Sequence, residues 1–280
     1  MAIFYVNNNG TVLTGDAPTI QPGNRAYLYG DGVFETFRIH AGTLLYADLH
    51  LQRLFFGCKR LGIEIDLQQV RSELNLALSL ACPSEGVLKL IVTRSEGGRG
   101  YRPTSATSTR IISLHPLPAY PIETPELGIH AFVCNLKLGL QPALAGIKHL
   151  NRLEQVLASN EWPNETYSEG VMQDINDYVV EGTRSNIFIV SQGQLMTPAL
   201  DTCGIAGVMR TVLLDHFDKN VQIAKITLPQ LLGADEVFFC NSVFGIWPLR
   251  SLTYLERHYE YKTGLLTLNA KSVFHKALSL

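Results

Sequence analysis

Residues 144–162 read LAGIKHLNRLEQVLASNEW, and the interpretation of the whole chain turns on the lysine within them. Leu150, Leu153, Val156 and Leu157 recur at the spacing of one helix face, with Arg152, Glu154 and Gln155 on the side turned mostly outward. Ala145 and Gly146 leave the backbone ahead of Lys148 uncrowded. This pattern predicts an amphipathic helix with an ammonium group at its start, among small and apolar residues. Desolvation in such a place disfavours the charged form and suits an amine to nucleophilic, Schiff-base-forming chemistry. The same pattern also describes a surface lysine flanking a helix, and the stretch alone does not choose between them.

Composition narrows the choice. The chain has 280 residues, 46% hydrophobic and 17% charged, which suits one large or two modest folded domains. A net charge of −2 provides no basic footprint for nucleic acid. The five cysteines form no CxxC or Cys/His cluster, so neither a metal site nor a disulfide framework is indicated, and buried free thiols are expected. MAIFYVNNNG lacks the basic flank and apolar length of a signal peptide and reads as a strand entering an Asn/Gly turn. No apolar run approaches a membrane span, so a cytoplasmic protein without membrane partners is expected.

In the first half, Gly30-Asp31-Gly32 marks a sharp turn and Val33–Ile39 an alternating strand, with a hairpin turn at Ala41-Gly42. Asp48 is the expected N-cap of a helix whose face carries Leu51, Leu54, Phe55, Cys58 and Leu61. His50 and Arg53 share a side of it, and Arg53 suits either a phosphate or carboxylate oxygen or an ordinary salt bridge. A second helix over Leu67–Leu80 precedes buried strands at Gly86–Arg94 and Arg110–Leu114. Between these strands, SEGGRGYRP places Arg99 and Tyr101 in a glycine-rich loop that fits either a ligand or a plain hairpin. HPLPAYPIETPE carries four prolines in twelve residues and reads as a stiff linker. The expected domains are therefore residues 1–117 and 126–280, joined by 118–125.

The second half opens with a strand at Gly128–Asn135. Hairpins follow across Ile175-Asn176-Asp177 and around Gln192-Gly193. Glu181 stands at a strand end before a small-residue turn, where a buried carboxylate requires a cation or a proton donor. A protonated ring nitrogen and a structural salt bridge both meet that need. CGIAGVMRTVLLDHF enters a helix through glycines, and its first backbone N–H groups form a ready anion site. EVFFCNSVFGIWP is an apolar strand delivering Asn241 and Ser242 at its end, and Asn269–Leu278 reads as a closing helix.

Taken in order, YGDGVFETFR (29–38), HLQRL (50–54), GIKHLNRLEQVLA (146–158), EGTRSNIF (181–188), GIAGVMR (204–210) and FFCNSVFGIWP (238–248) resemble the fold-type IV pyridoxal-phosphate enzymes over almost the whole chain. That resemblance implies an α+β fold, with a small N-terminal α/β sandwich and a larger C-terminal β-barrel-like domain with helices. It also implies pyridoxal 5'-phosphate as cofactor and a homodimer. By the same resemblance Lys148 carries the cofactor as a Schiff base and Glu181 pairs with its ring nitrogen. Arg53, the backbone at Val208 and Met209, and Ser242 match the phosphate-holding positions.

Within the family, GVLKLIVTRSEGGRGY (86–101), LAGIKHLNRLEQVL (144–157), Thr36 and Asn241 are similar to the aminodeoxychorismate lyase branch. The resemblance then implies that Thr36 and Lys148 handle protons, while Arg99 and Asn241 bind the substrate's carboxylate-bearing groups, with Tyr101 beside them. The turn GTRSN is general to the family, and GIAGVMR lacks the threonine that many aminotransferases carry before the arginine. An aminotransferase of branched-chain or D-amino acids and a non-catalytic pyridoxal-phosphate-binding protein are the alternatives.

Overall fold

A computed structural model describes residues 2–6, 12–14, 22–97, 100–120 and 127–279. The chain divides into two compact units, Met1–Pro118 with Ile147–Asn151, and Ala119–Gly146 with Arg152–Leu280. Most of the linker expected at 118–125 lies outside the described residues. The Lys148 segment, expected within 126–280, clusters with the first unit because its backbone bonds to a strand there.

The first unit is built on an antiparallel sheet. Its elements are β1 (Ala2–Val6), β2 (Val12–Thr14), α1 (Arg25–Tyr29), β3 (Gly32–His40), β4 (Thr43–Leu44), α2 (Ala47–Leu61), α3 (Leu67–Ala81), β5 (Glu85–Arg94) and β6 (Ser108–His115), with sheet order β2-β1-β6-β5-β3-β4. Alternation along β3 buries Val33, Glu35, Phe37 and Ile39 and leaves Phe34, Thr36 and Arg38 half-buried. The apolar set meets Leu51, Leu54 and Cys58 of α2 and Val70, Leu74 and Ala77 of α3. Phe55, expected on that stripe, is exposed; Gly57 is buried in its stead, where an added Cβ would press on Val33. α2 starts one residue before Asp48, capped by Tyr46 in the left-handed region, so Asp48 sits in the first turn. Asp66 caps α3 by accepting from Gln68 N–H and Gln69 N–H.

The second unit holds β7 (Ile129–Leu138), α4 (Leu153–Ser159), β8 (Tyr167–Asp174), β9 (Tyr178–Gly182), β10 (Asn186–Ser191), β11 (Gln194–Pro198), α5 (Val208–Phe217), β12 (Val221–Ala224), β13 (Ile226–Thr227), α6 (Leu228–Leu232), β14 (Glu236–Asn241), β15 (Gly245–Tyr254), β16 (Arg257–Glu260) and α7 (Leu265–Leu278). Its sheet runs β12-β11-β10-β14-β15-β7-β8-β9-β13, with β16 paired to β15. The two end strands, β12 and β13, are separated in sequence by Lys225 alone. A sheet whose opposite edges are joined by one residue has to curl back on itself, which makes it barrel-like. Both expected hairpins form, as β8–β9 and β10–β11. Ile187 and Ile189 of β10 join the Trp247 core on one face, while Phe188 stacks on Phe238 on the other. The closing helix begins at Leu265, four residues earlier than its sequence pattern suggests.

The helix after Lys148 departs most from expectation. α4 is seven residues long and starts at Leu153, so Lys148 is not at a helix start. Its sides are also reversed: Leu153, Val156 and Leu157 are exposed, whereas Arg152, Glu154 and Gln155 are half-buried. The polar side chains turn inward because each has a partner. Glu154 Oε1 accepts from Gly139 N–H at 2.8 Å, Gln155 Nε2 donates to Glu181, and Arg152 lies in the field of Glu181 and Glu154.

Leu54 is fully buried between α2 and the sheet. Leu54→Ala is expected to cost about 2–5 kcal/mol through lost transfer energy and the cavity left behind. Urea denaturation followed by circular dichroism measures it; an unchanged midpoint would mean that this packing contributes nothing.

Candidate active site

Lys148 lies on a short extended segment laid along the edge of β3. Phe34 N–H donates to the Lys148 carbonyl at 3.0 Å, Leu150 N–H donates to Gly32 O at 3.0 Å, and His149 bridges Val33 antiparallel. Because side chains alternate, His149 is buried with Val33, and Lys148 projects to the Phe34 face, Nζ 4.3 Å from that ring's centroid. Asn151 Nδ2 donates to Gly30 O, tying the far end down. The sheet edge therefore orients the lysine, and a helix start does not.

Beneath the same strand sits a buried charged cluster. Glu35 accepts from Arg53 Nε at 2.8 Å and Nη2 at 2.5 Å, and its Oε2 lies 2.6 Å from His50 Nδ1. Glu35 and His50 are 1% and 0% exposed. Burial alone would raise the Glu35 pKa, but Arg53 and then His50 outweigh it and bring it down to about 2. Burial pushes the His50 pKa down, against the contact with Glu35. Since Glu35 is a carboxylate, His50 Nδ1 is the protonated nitrogen that donates to it. The neutral ring then leaves Nε2 as a buried acceptor with no hydrogen-bond partner among the described residues. Arg53 is thus held by one edge of its guanidinium.

The second unit assembles the carboxylate and the anion-binding features around Glu181. Glu181 is 3% exposed; Oε2 accepts from Ile205 N–H at 2.8 Å and Oε1 from Gln155 Nε2 at 3.3 Å. Gly146 and Gly204 both take positive φ, and the Gly204 carbonyl accepts from Gly146 N–H. The turn after Glu181 is organised by Glu169, fully buried, which accepts from Thr183 N–H, Thr183 Oγ1 and Ser185 Oγ. α5 then starts at Val208 without a side-chain cap, and Val208 and Met209 are buried there. Uncapped amides at a buried helix start are the orphan donors that an anion satisfies. Gly207 is required beside them because an added Cβ would collide with Asn186 Oδ1, which accepts from Gly207 N–H.

Ser242 is 9% exposed in the turn between β14 and β15. Asn241 builds that turn: its Oδ1 accepts from Val243 N–H and Phe244 N–H, and its Nδ2 donates to Arg184 O. Most of its amide is therefore spent on structure. Thr36 is half-buried on the Lys148 side of β3. Tyr101 is 85% exposed, ring beside Tyr29, with Gly100 and Tyr101 carbonyls accepting from Arg25. Arg99 lies outside the described residues. Glu35 and Glu169 went unremarked in the sequence; the signal for Glu35 was a charge on the apolar side of the alternating β3. Among the described residues no group of three or more His, Cys, Asp or Glu could hold a metal.

The first unit offers a lysine on a strand edge, and the second a buried carboxylate on a β-hairpin and a helix start with no side-chain cap. The chain belongs to the amino-transferase class IV family, whose model matches residues 32–252. It is 36% identical to an aminodeoxychorismate lyase of Vibrio harveyi, over 88% of this chain and 92% of that one. It is also similar to the crystal structure of 4-amino-4-deoxychorismate lyase from Pseudomonas aeruginosa, with TM-score 0.88 and 42% identity, covering 95% of this chain and 97% of the other. The branched-chain aminotransferase structure of Escherichia coli shares the fold at TM-score 0.85 and 22% identity, covering 98% and 93%.

The depressed Glu35 pKa makes stability depend on pH. The contribution is complete above the ordinary carboxyl value of 4.5 and is lost as pH falls from there through about 2. Glu35→Gln is therefore expected to cost about 3 kcal/mol at pH 7. Urea midpoints of the two proteins should converge as pH drops below 4.5; a gap that stays constant into acid would count against the assignment.

Proposed function

We propose that this chain is a pyridoxal-phosphate-dependent lyase converting 4-amino-4-deoxychorismate to 4-aminobenzoate and pyruvate. The observation that carries it is the 36–42% identity with two such lyases over most of each chain. The donor set fits the cofactor. In the first unit Lys148 would supply the amine that carries it and Arg53 a cation for its phosphate; in the second the buried Glu181 would partner its ring nitrogen, and the uncapped amides of Val208 and Met209, with Ser242, would serve its phosphate.

When bound, pyridoxal phosphate acts as an electron sink for the carbon bearing the substrate's amino group. Lys148 Nζ removes the proton from that carbon, a role suited to an amine held in place by its own backbone bonds to β3. Glu181, fixed by Ile205 N–H and Gln155, would hold a proton on the cofactor's ring nitrogen. Thr36 Oγ1 or Lys148 delivers a proton to the departing ether oxygen. The carbon–oxygen bond to the enolpyruvyl group breaks, the ring becomes aromatic, and the enol released becomes pyruvate. Arg99, Asn241 and Tyr101 would serve the substrate's carboxylate-bearing end, Asn241 chiefly by shaping the turn that presents Ser242.

A homodimer is the assembly this reading expects. It is supported by α4, whose exposed Leu153, Val156 and Leu157 form an apolar stripe. No described helix is long and apolar enough to cross a membrane.

Purified protein incubated with 4-amino-4-deoxychorismate should release 4-aminobenzoate with no 2-oxo acid present, and Lys148→Ala should abolish the release. Glutamate formed only from amino acids plus 2-oxoglutarate would replace the lyase with an aminotransferase. Silence in both mixtures would leave a non-catalytic cofactor-binding protein. Sedimentation should give a dimer that Leu157→Glu weakens about tenfold or more; a monomeric wild-type protein would refute the assembly.

A further inference from the structure

The turn Gly30-Asp31-Gly32 is held from two sides. On one side Asn151 Nδ2 donates to Gly30 O at 3.1 Å and Leu150 N–H to Gly32 O at 3.0 Å, which fixes the segment that carries Lys148. On the other, Asp31 Oδ2 accepts from Arg25 Nε at 2.7 Å and from Arg94 Nε at 2.8 Å. Both arginines are buried, and they share this carboxylate. One negative charge between two positive ones leaves buried donors that have to find neutral acceptors. Peptide carbonyls supply them.

The two guanidinium groups spend those donors differently. Arg94 Nη1 donates to Gly62 O at 2.7 Å and Ser105 O at 3.2 Å, and its Nη2 to Leu61 O at 2.6 Å, so it ties the end of α2 to the returning limb of the 95–107 loop. Ser95 N–H closes the base of that loop on Thr107 O at 2.8 Å. Arg25 reaches farther. Its Nη1 donates to Gly100 O at 3.0 Å and its Nη2 to Tyr101 O at 2.8 Å, two successive carbonyls in the middle of the loop. Gly100 takes a φ of +86°, a conformation open to glycine, where both carbonyls meet one planar fork. The Arg25 guanidinium lies 4.8 Å from the centroid of the Tyr29 ring, and that ring 5.4 Å from the Tyr101 ring.

We propose that Arg25 is a positioning residue for substrate binding, setting the middle of the 95–107 loop from the turn that also fixes the Lys148 segment. The inference rests on the lyase reading, in which Arg99 and Tyr101 of this loop meet the substrate's carboxylate-bearing end. A glycine-bearing loop left to itself has to be ordered by the substrate, at the cost of affinity. Arg25 orders it beforehand. Because its bonds go to backbone carbonyls, the exposed Tyr101 side chain is left for a ligand.

Arg25→Gln leaves Asp31 paired with Arg94, so the fold is retained. Hydrogen–deuterium exchange of the variant holoenzyme should rise about tenfold in the peptide spanning 95–107 and stay unchanged along β3. With 4-amino-4-deoxychorismate, Arg25→Gln should raise KM about tenfold, the scale of charge-assisted contacts, while kcat changes less than about threefold and cofactor absorbance stays as it was. Arg25→Lys should recover part of the loss. Arg99→Gln combined with Tyr101→Phe should raise KM without any change at Arg25. Adding Arg25→Gln to that pair should raise it less than about twofold further, because a loop stripped of its contacts has nothing left to position. Unchanged exchange in the loop, a fall in kcat as large as the rise in KM, or independent effects in the combined variant would each overturn the proposal. Failure of the lyase reading is separately visible, as wild-type protein that releases no 4-aminobenzoate while exchange in the loop still responds to Arg25→Gln.

Discussion

The bond from Phe34 N–H to the Lys148 carbonyl, with the Val33–His149 bridge beside it, determines more about this protein than any other contact. Strand alternation converts that pairing into a direction: His149 goes into the packed side and Lys148 to the open one. A one-residue slip would exchange them and bury the amine among Leu51, Leu54 and Cys58. A side chain set by backbone pairing is held to within the tolerance of a sheet, which is tighter than a loop provides. The flanking glycines follow from the same requirement. Gly32 has to let its strand approach the Val92 carbonyl, and Gly146 has to turn through positive φ just before the lysine.

Buried carboxylates do the remaining positioning, and each is matched to its donors. Glu35 holds one edge of the Arg53 guanidinium and is steadied by His50, so burial costs it less than its partners return. Glu169 is saturated by backbone and hydroxyl donors and serves the turn that follows Glu181. Glu181 is served by Ile205 N–H and Gln155, with Arg152 in its field. Only one of the three was visible as a candidate in the sequence. The other two do their work through neighbours.

Most of the architecture was legible from period and punctuation. β3 announced itself by alternation, β5 by a continuous Val/Leu/Ile run, and the two hairpins by turn residues such as Gln192-Gly193, both of which take positive φ. Asp66 capped its helix as its type suggests, whereas Tyr46 took the place expected of Asp48 by adopting a conformation that composition does not advertise. Barrel closure was beyond any local pattern, because it depends on one residue, Lys225, lying between strands at opposite ends of a sheet. Residue type made Lys148 and Asn241 candidates, but it does not show what supports them. Asn241 spends its amide on a turn, and Lys148 leans on a strand.

α4 shows why periodicity misled where it looked strongest. The stripe of Leu153, Val156 and Leu157 obeys the helical rule, and the rule assigns it to the core. Hydrophobic spacing, however, specifies only that a face is to be covered, without saying by what. Glu154, Gln155 and Arg152 have partners on the Glu181 side that no apolar side chain could satisfy, and a buried polar group left unmatched costs more than a leucine left exposed. The helix therefore turns its polar side inward and its leucines outward. Two demands, polar satisfaction and apolar cover, compete for one short helix. The first decides the orientation because its partners are already in the fold, and the apolar stripe stays exposed.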